Sequence, residues 1–268
     1  MPSPGRAINM TRPMSVFVCG TPRSGSSLLT DLLGSSQVMG GIRIEYFNPY
    51  VEQQIFEEEG PFASWPDYLK HVMATGTTAS GVFGAKIHAD NLVYLMYQLR
   101  RTFLNDAKSD DFNLMRMVFP EVDPCSSFVY VWRQRILEQA VSFVIAETTG
   151  AWNDTTSVKR EPVYDRSALI RAYWTLMQQH SAWQDWFARY RITPLPVQYE
   201  RLVSERQKVL PEVFRYTGVA CPPGLELSTI RRRQSTDLNA QWVAQLEADM
   251  AEQYPFAVPV ALPEPAFG

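Results

Sequence analysis

Residues Val16-Phe17-Val18-Cys19-Gly20-Thr21-Pro22-Arg23-Ser24-Gly25-Ser26-Ser27-Leu28-Leu29 leave the chain few folds to choose from. The apolar, β-branched start predicts a buried strand. Glycine, proline and hydroxyl residues then predict a tight loop. Ser26 to about Ser36 predicts a helix with Leu28, Leu29, Leu32 and Leu33 along one side. A strand that turns through small residues into a helix N-terminus makes an anion site. The first-turn N–H groups there have no intrahelical acceptor, and the helix dipole favours negative charge.

The loop has the glycine spacing of a Walker A motif, with four residues between Gly20 and Gly25, but Ser26 and Ser27 stand where that motif needs Lys. The cation lies inside the loop instead, at Arg23. A nucleotide triphosphatase requires the Lys near the β- and γ-phosphates and a Mg²⁺ site as well. The pattern therefore predicts a loop that grips a phosphate without a metal. An ordinary βα turn carrying a surface Arg is the plainer reading. Two glycines and the hydroxyls beside the helix start weigh against it.

A chain of 268 residues, 46% hydrophobic, can bury the core of one α/β domain or two small ones. Its net charge of −3 argues against a nucleic-acid partner, which selects basic surfaces. An anionic cofactor must then be held by local basic residues. Cys19, Cys125 and Cys221 are too scattered for a disulfide framework or a metal motif, which fits a reducing compartment. Neither a signal peptide nor a membrane span is visible, so the expectation is a soluble cytoplasmic protein without stable membrane insertion.

The expected organisation is a flexible tail over 1–13, one domain over 14–252 and a Pro-rich tail over 253–268. Further strands are predicted at Gly81–Ile87, Phe128–Trp132 and Leu195–Tyr199, the all-apolar second of these being central. Helices are predicted at Tyr50–Glu59, Pro66–His71, Asp90–Leu104, Ile136–Thr148, Ser167–Tyr190, Glu205–Tyr216 and Trp242–Met250. Asp106–Asp111 and Gly150–Asp165 read as loops. Alternating strands and helices predict an α/β single domain, a mainly parallel sheet flanked by helices on both faces. Ligands of such sheets sit at the C-terminal strand ends. Arg23, Lys86 to His88, and Arg133 all follow strand ends and can converge on one crevice.

Pro22-Arg23-Ser24-Gly25-Ser26-Ser27 resembles the 5′-phosphosulfate loop of sulfotransferases that use 3′-phosphoadenosine 5′-phosphosulfate (PAPS). With Glu45-Tyr46-Phe47 downstream, the Arg form of that loop is most similar to the Stf0 family of bacterial carbohydrate sulfotransferases. The resemblance implies a P-loop-like sulfotransferase fold with Thr21, Pro22, Arg23, Ser24, Gly25, Ser26 and Ser27 on the cofactor. Arg133 at a strand end and Ser142 on the following helix resemble the 3′-phosphate motif, where a guanidinium gives bidentate bonds and a hydroxyl adds a donor. Their spacing is one residue longer than in animal cytosolic sulfotransferases and resembles the Stf0 pattern. Val197-Gln198-Tyr199-Glu200-Arg201-Leu202 resembles a family stretch whose Tyr lies by the adenine, here Tyr199, with the Glu more often structural. Arg232-Arg233-Gln234-Ser235-Thr236 resembles the segment that closes over the 3′-phosphate, which implies Arg233 and Gln234. The resemblance runs from about Ser15 to Trp242.

What it implies is an in-line transfer of a sulfuryl group to a hydroxyl of a sugar or glycolipid acceptor. Adenosine 3′,5′-bisphosphate (PAP) leaves, and no metal takes part. Arg23 and the loop N–H groups would steady the leaving phosphate. The hydroxyl needs a base. Glu45 matches the catalytic Glu of the Stf0 family and ranks first. His88, in Lys86-Ile87-His88, resembles the Lys-x-His of the cytosolic enzymes and ranks second. Lys86 is placed for the sulfuryl oxygens or the acceptor. Stf0 relatives form dimers, so a homodimer is compatible. Two other classes stay in view: a Mg²⁺-dependent P-loop small-molecule kinase, and a non-catalytic nucleotide-binding protein of the same fold.

Overall fold

The two faces of the sheet are separated by simple alternation of residues along the strands. The computed structural model describes residues 14–103, 110–119, 121–152, 160–222, 237–254, 256 and 258–267. Among these, the strands are β1 (Met14–Gly20), β2 (Val82–His88), β3 (Phe128–Trp132) and β4 (Leu195–Gln198), all parallel in the order β2-β1-β3-β4. The helices are α1 (Ser26–Ser35), α2 (Pro49–Glu59), α3 (Trp65–Gly76), α4 (Ala89–Phe103), α5 (Asp111–Val118), α6 (Ile136–Thr149), α7 (Arg166–Arg189), α8 (Tyr199–Thr217) and α9 (Asp237–Gln253).

Val16, Val18, Val129 and Val131 point to one layer, where they meet Leu29, Leu32 and Leu33 of α1 and Val209, Leu210 and Val213 of α8. Their neighbours Phe17, Cys19, Phe128 and Tyr130 point to the other layer, built from α3 to α7 and α9. Burial on both faces is what a parallel sheet requires, so the α/β expectation holds, with β3 in the interior of the sheet. The register pairs Gly20 with His88 and with Val131, and Trp132 with Gln198. The strands therefore end level. Arg23, Lys86, His88, Arg133 and Tyr199 all leave the sheet at one rim.

The free edge of β2 is covered by the chain that follows α1. Gly40 bridges Phe83, and the Lys86 N–H donates to the Ile44 carbonyl at 3.0 Å. Gly84 permits this approach, since a Cβ there would lie 2.3 Å from the Gly40 carbonyl oxygen.

Three local outcomes differ from the sequence expectation. A helix, α5, follows Asp110, whose carboxylate caps it by accepting from the Asn113 N–H at 2.8 Å. The second is α8, which begins at Tyr199 directly after the strand. It is broken at Glu205 (φ −131°, ψ 31°) and pinned across the break by Arg201, whose guanidinium donates to both Glu212 oxygens at 2.6 and 2.8 Å. The third is the Pro-rich C-terminal stretch, which packs on the core. The Leu262 N–H donates to the Gln134 carbonyl at 2.8 Å, and Phe267 sets its ring edge-on to Tyr130 and Phe187. No helix among the described residues is long and apolar enough to cross a membrane.

Candidate active site

The loop between β1 and α1 is held from outside as well as by its own turn. The Ser24 N–H donates to the Thr21 carbonyl at 3.1 Å, and Arg23 takes a left-handed backbone (φ 62°). Gln139 of α6, fully buried, donates to Thr21 Oγ1 at 2.7 Å and to the Pro22 carbonyl at 2.6 Å. Trp183 of α7 donates from Nε1 to the Gly20 carbonyl at 2.8 Å. Gly25 is the N-cap of α1 at φ 96°, and a Cβ there would lie 2.3 Å from the Tyr199 ring. Glycine is required on both counts. No side chain caps α1, which leaves its first-turn N–H groups open to an anion.

Glu45 arrives through the covering of β2, which carries it beside the end of that strand. Lys86 Nζ lies 2.9 Å from Glu45 Oε1 and donates to Ser27 Oγ at 2.9 Å. Glu45 Oε2 accepts from Asn48 Nδ2 at 3.0 Å and from Asn91 Nδ2 at 3.2 Å, with His88 Nδ1 at 3.7 Å. Asn48 also caps α2, its Oδ1 accepting from the Tyr50 N–H at 3.1 Å. One residue thus starts a helix and orients a carboxylate. Burial alone would raise the Glu45 carboxyl, but His88, Lys86 and the Asn48 amide outweigh it and hold the group at about 2. Burial lowers the His88 imidazole below its ordinary range, with Lys86 adding to this and Glu45 opposing it. His88 Nε2 shares a 3.2 Å hydrogen bond with Ser26 Oγ.

Arg133 emerges at the end of β3 and is 8% exposed. Its guanidinium lies over the Tyr199 ring at 4.7 Å and donates from Nη2 to Glu138 Oε2 at 2.6 Å. Its Nε is buried with no hydrogen-bond partner, as is Ser24 Oγ. Ser142 is not on Arg133. Its Oγ accepts from Arg23 Nε at 2.9 Å, while Arg23 Nη1 donates to the Trp152 carbonyl at 2.7 Å. Glu200 is structural: its carboxylate accepts from the N–H groups of Gln134 and Arg135 at 3.1 and 3.2 Å and fixes the turn into α6.

These groups open onto one cleft of about 1610 Å³. Pro22, Arg23, Gly25, Ser26, Ser27, Glu45, Lys86, His88, Arg133, Ser142 and Tyr199 all line it, so most of the site residues expected from the sequence meet there. Thr21 and Ser24, in the same loop, are buried and do not line the cleft. Arg233 and Gln234 lie outside the described residues. Sequence reasoning missed Asn48, Asn91, Gln139 and Glu138. Asn48-Pro49 carries a helix-start signal that places it beside the site. A buried Gln such as Gln139 carries no sequence signal of its own.

A family model described as Stf0 sulphotransferase matches residues 15–249. Two trehalose 2-sulfotransferases are similar to the chain. The protein of Mycobacterium tuberculosis (strain ATCC 35801 / TMC 107 / Erdman) is 26% identical over 87% of this chain and 94% of its own length. That of Mycolicibacterium smegmatis (strain ATCC 700084 / mc(2)155) is 25% identical over 88% and 96%. Among solved structures, the sulfotransferase domain from the Synechococcus PCC 7002 olefin synthase is 17% identical. It aligns over 92% of this chain and 97% of that one, with a TM-score of 0.36.

Proposed function

The chain belongs to the Stf0 sulphotransferase family, and from that premise we propose that it moves a sulfuryl group from PAPS to a hydroxyl of a carbohydrate acceptor. The observation that carries the proposal is the shared cleft: the β1–α1 loop and Arg133 with Tyr199 line the same cavity. A nucleotide with an anion at each end needs two such clusters. The residues fit it: α1 offers an uncapped N-terminus, Gly25 lets the Tyr199 ring close against the loop, and buried Arg133 Nε lacks a partner.

PAPS supplies the sulfuryl group and a phosphate leaving group. The loop N–H groups and Arg23 steady the charge that grows on that phosphate. Glu45 takes the acceptor proton. Two amides, from Asn48 and Asn91, already fill its Oε2, which leaves Oε1 as the accepting atom. The Lys86 ammonium now divides itself between Oε1 and Ser27 Oγ. Turning Lys86 toward the sulfuryl oxygens would free Oε1 and raise its proton affinity. His88 is the second reading for the base: burial pushes its imidazole down against the pull of Glu45, and its Nε2 lies beside Ser26 Oγ at the cleft.

Thermal-shift measurements with PAP against ATP–Mg²⁺, followed by transfer of labelled sulfate from PAPS to trehalose and other sugars, test the proposal. Larger stabilisation by PAP and label on a sugar are expected. Stabilisation by ATP–Mg²⁺ alone would favour a kinase, and PAP binding without transfer a non-catalytic nucleotide protein. Glu45→Gln and His88→Asn compared side by side assign the base.

A further inference from the structure

The guanidinium that the proposal assigns to the nucleotide's 3′-phosphate already has an anion beside it. Glu138 Oε2 accepts from Arg133 Nη2 at 2.6 Å, and Glu138 Oε1 accepts from Arg135 Nη1 at 2.9 Å. Glu138 stands in the first turn of α6, where the dipole and the first-turn N–H groups favour negative charge. It lines the same cleft. Burial raises its carboxyl, but hydrogen bonds from Arg135 and Arg133 reverse this and keep it ionised. Arg133 is still not saturated, since its buried Nε has no partner.

We infer that Glu138 is a specificity-determining residue: it stands as an internal carboxylate where an incoming anion must sit on Arg133. Being tethered, it competes at an effective concentration of roughly millimolar or more. A monoanion offers Arg133 no more charge than Glu138 does and fails to displace it. A phosphate monoester carries close to two charges and three strong acceptor oxygens, so it prevails and also turns bidentate on the guanidinium. This end of the cleft therefore admits a phosphate dianion and rejects carboxylates and phosphodiesters. The inference rests on the reading of Arg133 given under the proposed function.

Calorimetric titration of PAP and of adenosine 5′-monophosphate, which lacks the 3′-phosphate, into wild-type, Glu138→Gln and Glu138→Met protein tests it. Both variants are expected to bind PAP about tenfold tighter, as removal of one like charge beside a phosphate implies, and the monophosphate within about twofold of wild type. Two variants separate loss of charge from loss of the hydrogen bond to Arg133. Unchanged or weaker PAP binding in both, with tight binding to wild type, overturns the inference and leaves Glu138 as a support for Arg133. Equal gains for the two nucleotides overturn it as well, since they report only a general field. If wild-type protein does not prefer PAP over the monophosphate, the assignment of Arg133 itself falls, and the inference with it.

Discussion

Replacing Glu45 by Gln removes one charge from a carboxylate that faces Lys86 at 2.9 Å and two amides. The carboxyl sits at about 2 against an ordinary 4.5. That displacement is worth about 3 kcal/mol in favour of the ionised form. Because the folded value is the lower one, this stability is complete above about 4.5 and is lost as pH falls toward about 2. At neutral pH the Gln variant loses much of it and leaves the Lys86 ammonium, 9% exposed, against a neutral amide. Urea unfolding should report a loss of about 2–3 kcal/mol, and Lys86→Met added to Glu45→Gln should recover part of it, since His88 as well as Lys86 holds the carboxyl down. Turnover of labelled PAPS should fall by about 10²–10⁴-fold, as loss of a general base predicts, with PAP affinity within about threefold of wild type. The double variant should regain that part of its stability without regaining turnover. Near-normal turnover in folded Glu45→Gln protein would refute the assignment of the base and reduce Glu45 to a partner for Lys86.

Gly25→Ala should abolish PAP binding in calorimetry and cost about 1–3 kcal/mol in unfolding, because φ 96° and the Tyr199 ring both oppose a Cβ. Gln139→Leu removes the amide that holds Thr21 and Pro22. It should weaken PAP binding severalfold and lower stability by about 1–3 kcal/mol, and unchanged affinity would show that the loop holds its own shape. His180, hydrogen-bonded to Tyr130 at 2.6 Å, is lowered to about 4 by burial. Its unfolded form takes a proton first as pH falls through about 6.5, so wild-type stability should drop by about 2 kcal/mol more than that of His180→Phe between pH ~7.5 and ~5. Parallel pH profiles for the two proteins would contradict this.

Where a residue's role follows from chain-local physics, the sequence was readable. The apolar run before Gly20 and the leucines after Ser26 set a strand, a loop and a helix, and their products are β1 and α1. Strand ends were legible too, so the sequence alone places Arg23, Lys86, His88 and Arg133 at one rim. The break in α8 was harder, because Glu205 leaves the helix while the residues before it keep helical turns. An expected start at Glu205 therefore hid the helical position of Tyr199. The α5 cap at Asp110 was present as a signal but was absorbed into a charged loop. Tertiary contacts were not legible at all. Ser142 turns to Arg23 because α6 passes over the loop, and Asn91 reaches Glu45 because the chain after α1 lies along β2.

That covering of β2 has a second effect. A sheet rim with unpaired N–H and C=O groups invites another chain to add a strand. Here one rim is sealed by 40–44, and the other, β4, is four residues long and contains Pro196. The seal leads straight into Glu45. Peeling it away to expose a sticky border would withdraw the carboxylate from the cleft in the same movement. With Glu45 in the role proposed above, self-association by strand addition through β2 and the loss of chemistry are one event, and any conformer open enough to aggregate along that border has already stopped working.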